Sequence, residues 1–399
     1  MFAHRLISAA ALVALVAAPL SAATFSVKAG QSIQAAIDNA NGGDTITIAS
    51  GVYRETLLIP EPLVGLTLVG KGQVILDARV DPEGTGTGIT VRAFDVTVRN
   101  LTVRHAAAAD TSGGYEPNGR GLSVFNNGIT LDKITVIGCE SDGIRIHGSD
   151  AVVRNCRIIG SGGDGLEIFS DDALVERLDV LGANGWGIYG NGDDATVRLC
   201  SLRADEGMRF DGQDVLVERC SVEAGDDGLV LFGDRMVVQR NTVHGVQRRG
   251  MEVQGQGVQV LDNVVDGAED GLVASYEAIV RGNTVENTDV GMVIHSGLEV
   301  IGNTVTNARR MGMEANMAKG GVLSGNRLTA TSRPGNYALM VSGSGAFITN
   351  NQIRGSLGTG LWVVNSSNMT VSKNKLSEGF RNGIVVAESS HQARLISNQ

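Results

Sequence analysis

The chain has 399 residues and a formal net charge of −10. This acidic balance disfavours nucleic acid as a partner, because binding it needs basic surface. Glycine contributes 54 residues, nearly twice the average usage of about 7%. The hydrophobic content of 42% is nevertheless too high for a disordered glycine-rich chain, so we expect a large folded core.

Residues 1–23 predict a cleaved secretory signal peptide. His4 and Arg5 precede an apolar run from Leu6 to Leu20, and three small residues follow it. The apolar run, about 15 residues, is shorter than the roughly 20 needed to span a bilayer. We therefore expect an exported protein, periplasmic or secreted, without a membrane span.

Residues 24–43 predict a strand followed by a short helix. The segment SIQAAIDNA places Ile33, Ala36 and Ile37 at i, i+3 and i+4, which is the spacing of one helix face. Ser32 stands directly before this pattern and is suited to cap the helix N-terminus.

Residues 44–399 contain a repeat marked by a small residue followed by an apolar residue. Its period is about 21–22 residues, which is typical of a solenoid whose units bury their apolar faces against one another. The marker positions are Gly65, Gly88, Gly121, Gly143, Gly165, Gly187, Gly207, Gly228, Gly250, Gly271, Gly291, Gly312, Ala338, Gly360 and Gly383.

Each repeat predicts three short strands. After the marker glycine, apolar and variable residues alternate, as in GIRIH and GLVLF, and a period of two indicates a strand. Two further β-runs follow, such as VLVER and TVHG. Three strands per turn without a helix describe an all-β parallel β-helix, here of about 14–15 coils.

A second column of the repeat falls at the turn between the second and third strands. In the later coils it holds Asn241, Asn263, Asn283, Asn303, Asn326, Asn351, Asn374 and Asn398. Stacked asparagines can donate hydrogen bonds from coil to coil and satisfy buried polar turns. In the earlier coils the place is held by Cys156, Leu178, Cys200 and Cys220. We interpret these cysteines as small buried wall residues, although Cys200 and Cys220 are close enough to pair.

The asparagine column, the period and the opening VKAGQSIQAAIDNANGGDTITIASGVYRETLLI together resemble the pectate-lyase-like family of right-handed parallel β-helix proteins. The resemblance extends over the whole mature chain. It implies a single-stranded right-handed β-helix whose N-terminal end is plugged by the short helix. It also implies a binding groove over the first strands. The loop at 105–118 borders that groove and either covers one end of it or is a tolerated insertion.

The groove suits an extended polysaccharide. Its arginines favour an anionic one, because arginine forks bind carboxylates. Neighbouring coils, here called rungs, lie about 4.8 Å apart, close to the length of one sugar. A Tyr, His or carboxylate could transfer a proton there. The candidate catalytic residues are Tyr189, Arg209, Asp211, Asp227 and Arg249. The candidate substrate-binding residues are Arg145, His147, Glu167, Trp186, Glu206 and Glu252.

Three functions remain open at this point. The first is a lyase or C5-epimerase that abstracts a proton next to a uronate carboxylate. The second is a hydrolase, for which Asp211 and Asp227 are the favoured carboxylate pair. The third is a non-catalytic glycan-binding or polysaccharide-assembly protein. The catalytic motifs of the family's polygalacturonase-like and epimerase members are incomplete here, so no chemistry transfers residue by residue.

The stretch AGDDG raises the question of a metal. Asp226 and Asp227 could together hold Ca²⁺ through their carboxylates, and no other cofactor is expected. Asp142, Asp164 and Asp270 also precede marker glycines, which indicates turn chemistry. Copper binding, attributed to some periplasmic β-helix relatives, is disfavoured because four methionines take inward positions: Met208, Met251, Met292 and Met313.

The last coil, from Gly383 to Gln399, ends without a visible cap. An uncapped coil presents an open strand edge. We therefore expect this end to be covered by a second copy of the chain or by another partner.

Overall fold

The computed structural model describes residues 22–79, 86–106, 119–330, 337–355 and 358–399. The predicted signal peptide lies outside these ranges except for its last two residues. The predicted loop at 105–118 lies outside them after its second residue. Within the described ranges, no helix is both long and apolar enough to cross a membrane.

The described chain is a parallel β-helix with one short helix, Ile33–Asp38. The strands of its first part are Thr24–Val27, Thr45–Tyr53, Leu57–Ile59, Thr67–Asp77, Ile89–Val91, Thr97–Arg104, Leu122–Val124, Thr130–Cys139, Ile144–His147, Val152–Arg154, Arg157–Ser161, Leu166–Phe169, Leu174–Glu176 and Asp179–Asn191. Those of the middle part are Thr196–Arg198, Ser201–Asp211, Leu216–Glu218, Ser221–Ala224, Leu229–Phe232, Val237–Gln239, Thr242–His244, Arg249–Gln254, Gln259–Leu261, Val264–Ser275, Ile279–Arg281 and Thr284–Ile301. Those of the last part are Thr304–Ala308, Met311–Ser324, Arg327–Ala330, Tyr337–Ser344, Phe347–Thr349, Gln352–Gly355, Thr359–Ser367, Thr370–Ser372, Lys375–Ser377, Asn382–Val386 and Arg394–Ile396.

Each strand pairs in parallel with the equivalent strand one coil later. Leu166 lies in register with Ile144 in the first strands. In the second strands Val152 lies in register with Leu174. The stack makes about 16 turns, slightly more than the glycine marker predicts.

One marker position was assigned wrongly. Leu57 lies in register with Ile89, so the residue equivalent to Gly88 is Thr56 rather than Gly65. Gly65 instead lies in a turn and has a φ of 75°, a backbone conformation that glycine adopts without strain. The first coils therefore carry the fold without the marker.

The marker glycines are required by the close approach of neighbouring coils. A Cβ on Gly165 would lie 2.6 Å from the carbonyl oxygen of Gly187 and 2.6 Å from a methyl group of Val180. The glycine therefore lets the turn fold tightly against the next rung and against the third strand. The apolar residue after it points inward, and Leu166 and Ile188 are both fully buried there.

The predicted asparagine ladder is confirmed from Asn241 to Asn398. The Nδ2 atom of each asparagine donates to the Oδ1 atom of the next at 2.9–3.0 Å. That same Oδ1 also accepts the backbone N–H of the preceding ladder residue at 2.9–3.0 Å. The four cysteines are buried free thiols, as the wall interpretation predicts.

The N-terminal helix is capped as the sequence predicts. The Ser32 hydroxyl accepts the backbone N–H of Ala35 at 3.1 Å. The Glu55 carboxylate accepts the N–H groups of Ile33 and Gln34 at 2.7 and 3.2 Å, so three N–H groups that a helix start leaves without partners are satisfied. Ile33 is fully buried, which docks the helix on the core.

At the C-terminal end, Leu395 and Ile396 are 51% and 42% exposed. The expected association through this end stays a prediction.

Candidate functional site

Two columns of outward side chains run along the first strands and form the groove face. The central column stands two places after each marker and contains Arg145, Glu167, Tyr189, Arg209, Val230 and Glu252. The edge column stands four places after it and contains His147, Phe169, Asn191, Asp211, Phe232 and Gln254. Because the strands alternate inward and outward residues, both columns face the same side.

Glu167 has the most perturbed acidity in the central column. Its Oε2 lies 3.0 Å from Nε of Arg145, and that nitrogen also lies 2.9 Å from Nε2 of His147. Burial raises the pKa of Glu167 to about 7, with Arg145 opposing the rise and the Asp142 carboxylate adding to it. Glu167 can therefore exchange a proton near neutral pH.

Aromatic rings continue the face over the next rungs. The His147 and Phe169 rings are 4.7 Å apart and the Phe169 and Tyr189 rings 5.9 Å apart, both edge to face. The Arg209 guanidinium lies 5.3 Å from the centroid of the Phe232 ring, within cation–π range. Sequence reasoning did not select Phe169 and Phe232 as site residues, although both stand in the edge column.

Arg209 and Asp211 present hydrogen-bonding atoms without protein partners. Their side chains meet at 3.4 Å between Nη2 and Oδ2. Among the described residues, Nε of Arg209 and Oδ1 of Asp211 have no hydrogen-bond partner and almost no contact with solvent. Polar atoms in such positions are normally satisfied, so the Arg209–Asp211 pair is incompletely hydrogen-bonded.

The turn aspartates Asp142 and Asp164 act as the turn interpretation predicts. Oδ1 of Asp142 accepts the backbone N–H of Asp164 at 3.1 Å, and Oδ1 of Asp164 accepts that of Trp186 at 2.7 Å. Each carboxylate thus ties its turn to the next rung. Burial raises the pKa of Asp164 to about 6, against the lowering effect of the Trp186 N–H.

Asp227 lies in a buried ion-pair network next to the groove. Its carboxylate is inaccessible to solvent and accepts from Nη2 of Arg248 at 2.5 Å and from Nε and Nη2 of Arg249 at 3.0 and 2.5 Å. Arg249 also pairs with Glu252, which in turn contacts Gln254. Asp227 and Arg249 therefore position the groove wall.

The same arginines determine the surroundings of Asp226 and Glu206. Oδ2 of Asp226 lies 3.1 Å from Nη2 of Arg248, so arginine nitrogens already neutralise the Asp226–Asp227 pair that could hold Ca²⁺. Glu206 lies in register with Trp186 at the turn edge of the groove. Burial raises the pKa of Glu206, and the Asp227 and Asp226 carboxylates raise it further.

Most of the predicted residues fall into two neighbouring groups, which also contain Phe169, Phe232 and Arg248; Trp186 and Glu206 lie at the turn edge outside both. The groove cluster, facing outward, consists of Arg145, His147, Glu167, Phe169, Tyr189, Arg209, Asp211 and Phe232. The clamp, at the turns beside it, consists of Asp226, Asp227, Arg248, Arg249 and Glu252. The groove cluster can reach a ligand, whereas the clamp holds the backbone that carries Arg209 and Phe232.

Three parallel strands per coil, stacked in register with a groove along the first strands, define a parallel β-helix protein. The sequence profile described as "Right handed beta helix region" matches residues 65–202. The profile described as "Periplasmic copper-binding protein (NosD)" matches residues 192–352 and 232–399. The chain belongs to the pectate-lyase-like family of right-handed parallel β-helix proteins.

No curated protein matches the sequence. Similar solved structures include the mannuronan C-5 epimerase AlgE4 A-module of Azotobacter vinelandii, with 16% identity, a TM-score of 0.48 and coverage of 90% of this chain and 94% of that one. The periplasmic alginate epimerase AlgG has 12% identity and a TM-score of 0.38, over 82% and 83% of the two chains. ORF18 of Geobacillus virus E2 has 17% identity and a TM-score of 0.40. The match covers 63% of this chain and only 57% of the ORF18 chain. These similarities are too distant to argue for an activity.

Copper, which one family description names, does not fit the described residues. Soft sulfur ligands or imidazoles would have to bind it. The inward methionines, of which Met292 and Met313 lie on adjacent rungs, are fully buried in the apolar core. Among the described residues, no three or more His, Cys, Asp or Glu side chains are grouped to hold a metal ion.

Proposed function

We propose that this chain is an exported carbohydrate-active protein that acts on a uronate-containing polysaccharide as a lyase or a C5-epimerase. The observation that carries the proposal is the order of three side chains on consecutive rungs. Glu167, with a pKa of about 7, lies in register with Tyr189, and Tyr189 lies in register with Arg209. A base, a hydroxyl and a cation thus follow one another along the groove, each on a rung about 5 Å from the next.

Both reactions begin with removal of the C5 proton next to the uronate carboxylate. Arg209, whose side chain is 39% exposed, donates to that carboxylate through its guanidinium, which neutralises the negative charge that develops during proton removal. Glu167 accepts the C5 proton. A base whose pKa lies near the working pH is the most effective, and the buried Glu167 meets this condition.

The two reactions differ in the fate of the electron pair left at C5. In a lyase, the pair forms the C4–C5 double bond, the C4–O4 bond breaks, and the leaving oxygen takes a proton from the Tyr189 hydroxyl. In an epimerase, Tyr189 returns a proton to C5 from the opposite face. Tyr189 lies between Glu167 and Arg209 in the central column, so it serves as the proton donor in both cases.

The aromatic rings of the groove cluster support a sugar ligand. Phe169, Tyr189 and Phe232 present ring faces and edges on rungs about 4.8 Å apart. Large amphipathic or apolar rings that remain on a surface are suited to pack against the faces of a ligand. We assign these rings to positioning consecutive sugars.

The hydrolase alternative has less support from the geometry. It needs Asp211 and Asp227 to act as an accessible carboxylate pair. Asp227 is buried, and both of its oxygens accept from arginines, so it lies out of reach of a sugar. A non-catalytic glycan-binding role remains an outcome of the test below.

The test is a panel of polyuronates and neutral polysaccharides incubated with the mature chain and with Arg209→Ala. A lyase produces an unsaturated product that absorbs in the ultraviolet, and an epimerase changes the NMR spectrum of the polymer. We expect one of these signals with a polyuronate and its loss in Arg209→Ala. Reducing ends without ultraviolet absorbance would identify a hydrolase, and binding without any product would identify a binding protein.

A further inference from the structure

A second aromatic cluster lies on the groove face, far from the groove cluster. The Tyr337 and Trp362 rings are 4.7 Å apart with an interplanar angle of 47°. Trp362 stands two places after Gly360 and lies in register with Met340. All three side chains are half-buried, so their remaining surface faces outward.

The central column connects the two clusters without interruption. From Tyr189 it passes through in-register partners on every rung to Glu314, Met340 and Trp362. This path takes about eight rungs, or about 40 Å at the rung spacing of a parallel sheet. Val273 and Val293 lie along it, which leaves a path without long charged side chains at those rungs.

Aromatic residues are scarce in this chain, at 4%, and both tryptophans border this one face. A large ring left partly exposed is typical of a binding surface rather than of a core. Because the face is continuous and its rungs repeat at about the length of a sugar, the same polymer that occupies the groove cluster can extend to Trp362.

We propose that Tyr337 and Trp362 form a distal sugar-stacking subsite that binds the same polysaccharide chain as the groove cluster. The inference rests on the proposed function and adds a chain-length requirement to it. A polymer that reaches both clusters gains from the second contact because that contact is intramolecular. An oligosaccharide shorter than about eight sugars at the rung spacing contacts only one cluster.

The test compares binding of polygalacturonate and alginate with binding of the tetrasaccharides prepared from each. We expect Trp362→Ala to weaken polymer binding at least about fivefold and to leave tetrasaccharide binding unchanged, which also shows that the variant is folded. Trp362→Tyr keeps a ring and should restore most of the polymer affinity. Phe347→Ala is the matched control, because Phe347 is 48% exposed but lies in a second strand, away from the groove.

The outcomes separate this inference from the function on which it rests. If Arg209→Ala weakens both ligands while Trp362→Ala weakens neither, the groove is the site and the distal subsite is wrong. The subsite is also wrong if Trp362→Ala weakens polymer and tetrasaccharide equally. If the wild-type chain binds none of the four probes, the proposed function fails and the subsite fails with it.

Discussion

The two halves of the β-helix have the same three-strand coil. They differ in the residues at the turn between the second and third strands. Up to Cys220 the turn column holds Cys156, Leu178 and Cys200, whereas from Asn241 onward it holds asparagines. In the earlier half the thiols approach carbonyl oxygens at 3.3–3.8 Å, which are weak contacts. In the later half each amide forms short bonds to its neighbours. Apolar packing therefore stabilises the earlier turns, and hydrogen bonding stabilises the later ones.

The outward side chains of the first strands also change in character near the start of the ladder. The groove cluster, apart from Phe232, stands on the coils with the sulfur and leucine column, and the clamp stands where the ladder begins. Beyond Glu252 the central column continues with Val273 and Val293. The charged and titratable residues of the groove cluster thus lie on the half without the ladder. In the half with the ladder, the central column has uncharged side chains at the rungs of Val273 and Val293. This comparison predicts that function and stability respond to different substitutions.

The largest expected effect is the loss of activity in Glu167→Gln. A general base that acts in the transition state contributes about 10²–10⁴-fold to the rate, so we expect a loss in that range. Glu286→Gln is the matched control, because Glu286 stands in a third strand, away from the groove. Equal rates for Glu167→Gln and the wild type, on a polyuronate that the wild type converts, would show that Glu167 is not the base.

The pH dependence tests the same residue in two ways. The wild-type rate should rise with pH through about 7, as Glu167 loses its proton and becomes a base. The folded-state pKa of Glu167 lies above the ordinary value of 4.5. Its contribution to the free energy of unfolding is therefore fully present below about pH 4.5 and is lost as the pH rises to about 7. Glu167→Gln should lack this decline in stability, measured as the midpoint of denaturant unfolding at several pH values.

The ladder should give the next largest effect, and on stability rather than on activity. In Asn303→Ala the N–H and Nδ2 of Asn283 lose their acceptor, and the carbonyl oxygen of Val280 loses its donor. Leaving buried polar groups unsatisfied costs on the order of 1–3 kcal/mol. Asn316→Ala removes an exposed strand asparagine and should melt within a degree or so of wild type, by the small effects of surface substitutions.

The reaction rate of Asn303→Ala tests whether the ladder affects stability without affecting the groove. Below its melting temperature, this variant should turn over substrate at the wild-type rate, because Asn303 lies in the wall away from the groove. A large loss of activity in the folded variant would contradict the separation of the two halves.

The groove arginine and the clamp come next. We expect Arg209→Ala and Asp227→Asn each to reduce activity or binding at least about tenfold, which corresponds to about 1.4 kcal/mol. Arg209→Ala removes the contact of the guanidinium with the substrate. Asp227→Asn replaces the carboxylate that accepts hydrogen bonds from Arg248 and Arg249 by a neutral amide. Asp270→Asn is the control in an equivalent Asp-Gly turn and should have little effect. Small, equal effects at all three positions would place the site elsewhere.

Much of the fold could be predicted from the sequence, because its repeating constraints act at single residues. The steric need for Gly165 recurs on most rungs and the hydrogen bonds of Asn303 on the later ones, and each leaves a visible column. The first coils were harder, since Thr56 occupies a place that glycine takes elsewhere. The left-handed conformations of Arg240 and Asp262, with φ near 55°, also leave no glycine signal; the ladder residue that follows each of them stabilises the turn.

The candidate site was predictable only in part. The outward columns identified Arg209, Tyr189 and Glu167, because alternation along a strand assigns each side chain to a face. The acidity of Glu167 depends on how deeply its neighbours bury it, which no spacing in the sequence reveals. For the same reason the sequence predicts Asp227 as a catalytic candidate, although its two arginine partners enclose it.

The smallest expected effect comes from extending the ladder by one rung with Cys220→Asn. The Cys220 N–H already donates to Oδ1 of Asn241 at 2.9 Å. A new amide there can donate to the same oxygen and to the carbonyl oxygen of Val197, which the Cys220 thiol now approaches at 3.8 Å. Buried hydrogen bonds contribute about 0.5–1.5 kcal/mol each, and loss of the thiol's packing offsets part of this. We therefore expect a small rise in melting temperature.

Cys200→Asn is the matched substitution without the ladder beside it. The next residue in the column is Cys220, whose side chain offers no amide oxygen, so part of the new amide stays unsatisfied in the buried wall. We expect this variant to be destabilised by about 1–3 kcal/mol, although it differs from Cys220→Asn by a single rung. Thermal melting of both variants decides the matter. Equal destabilisation would show that the earlier turns exclude any amide, whereas opposite signs would show that an asparagine is tolerated only where the next rung already accepts it.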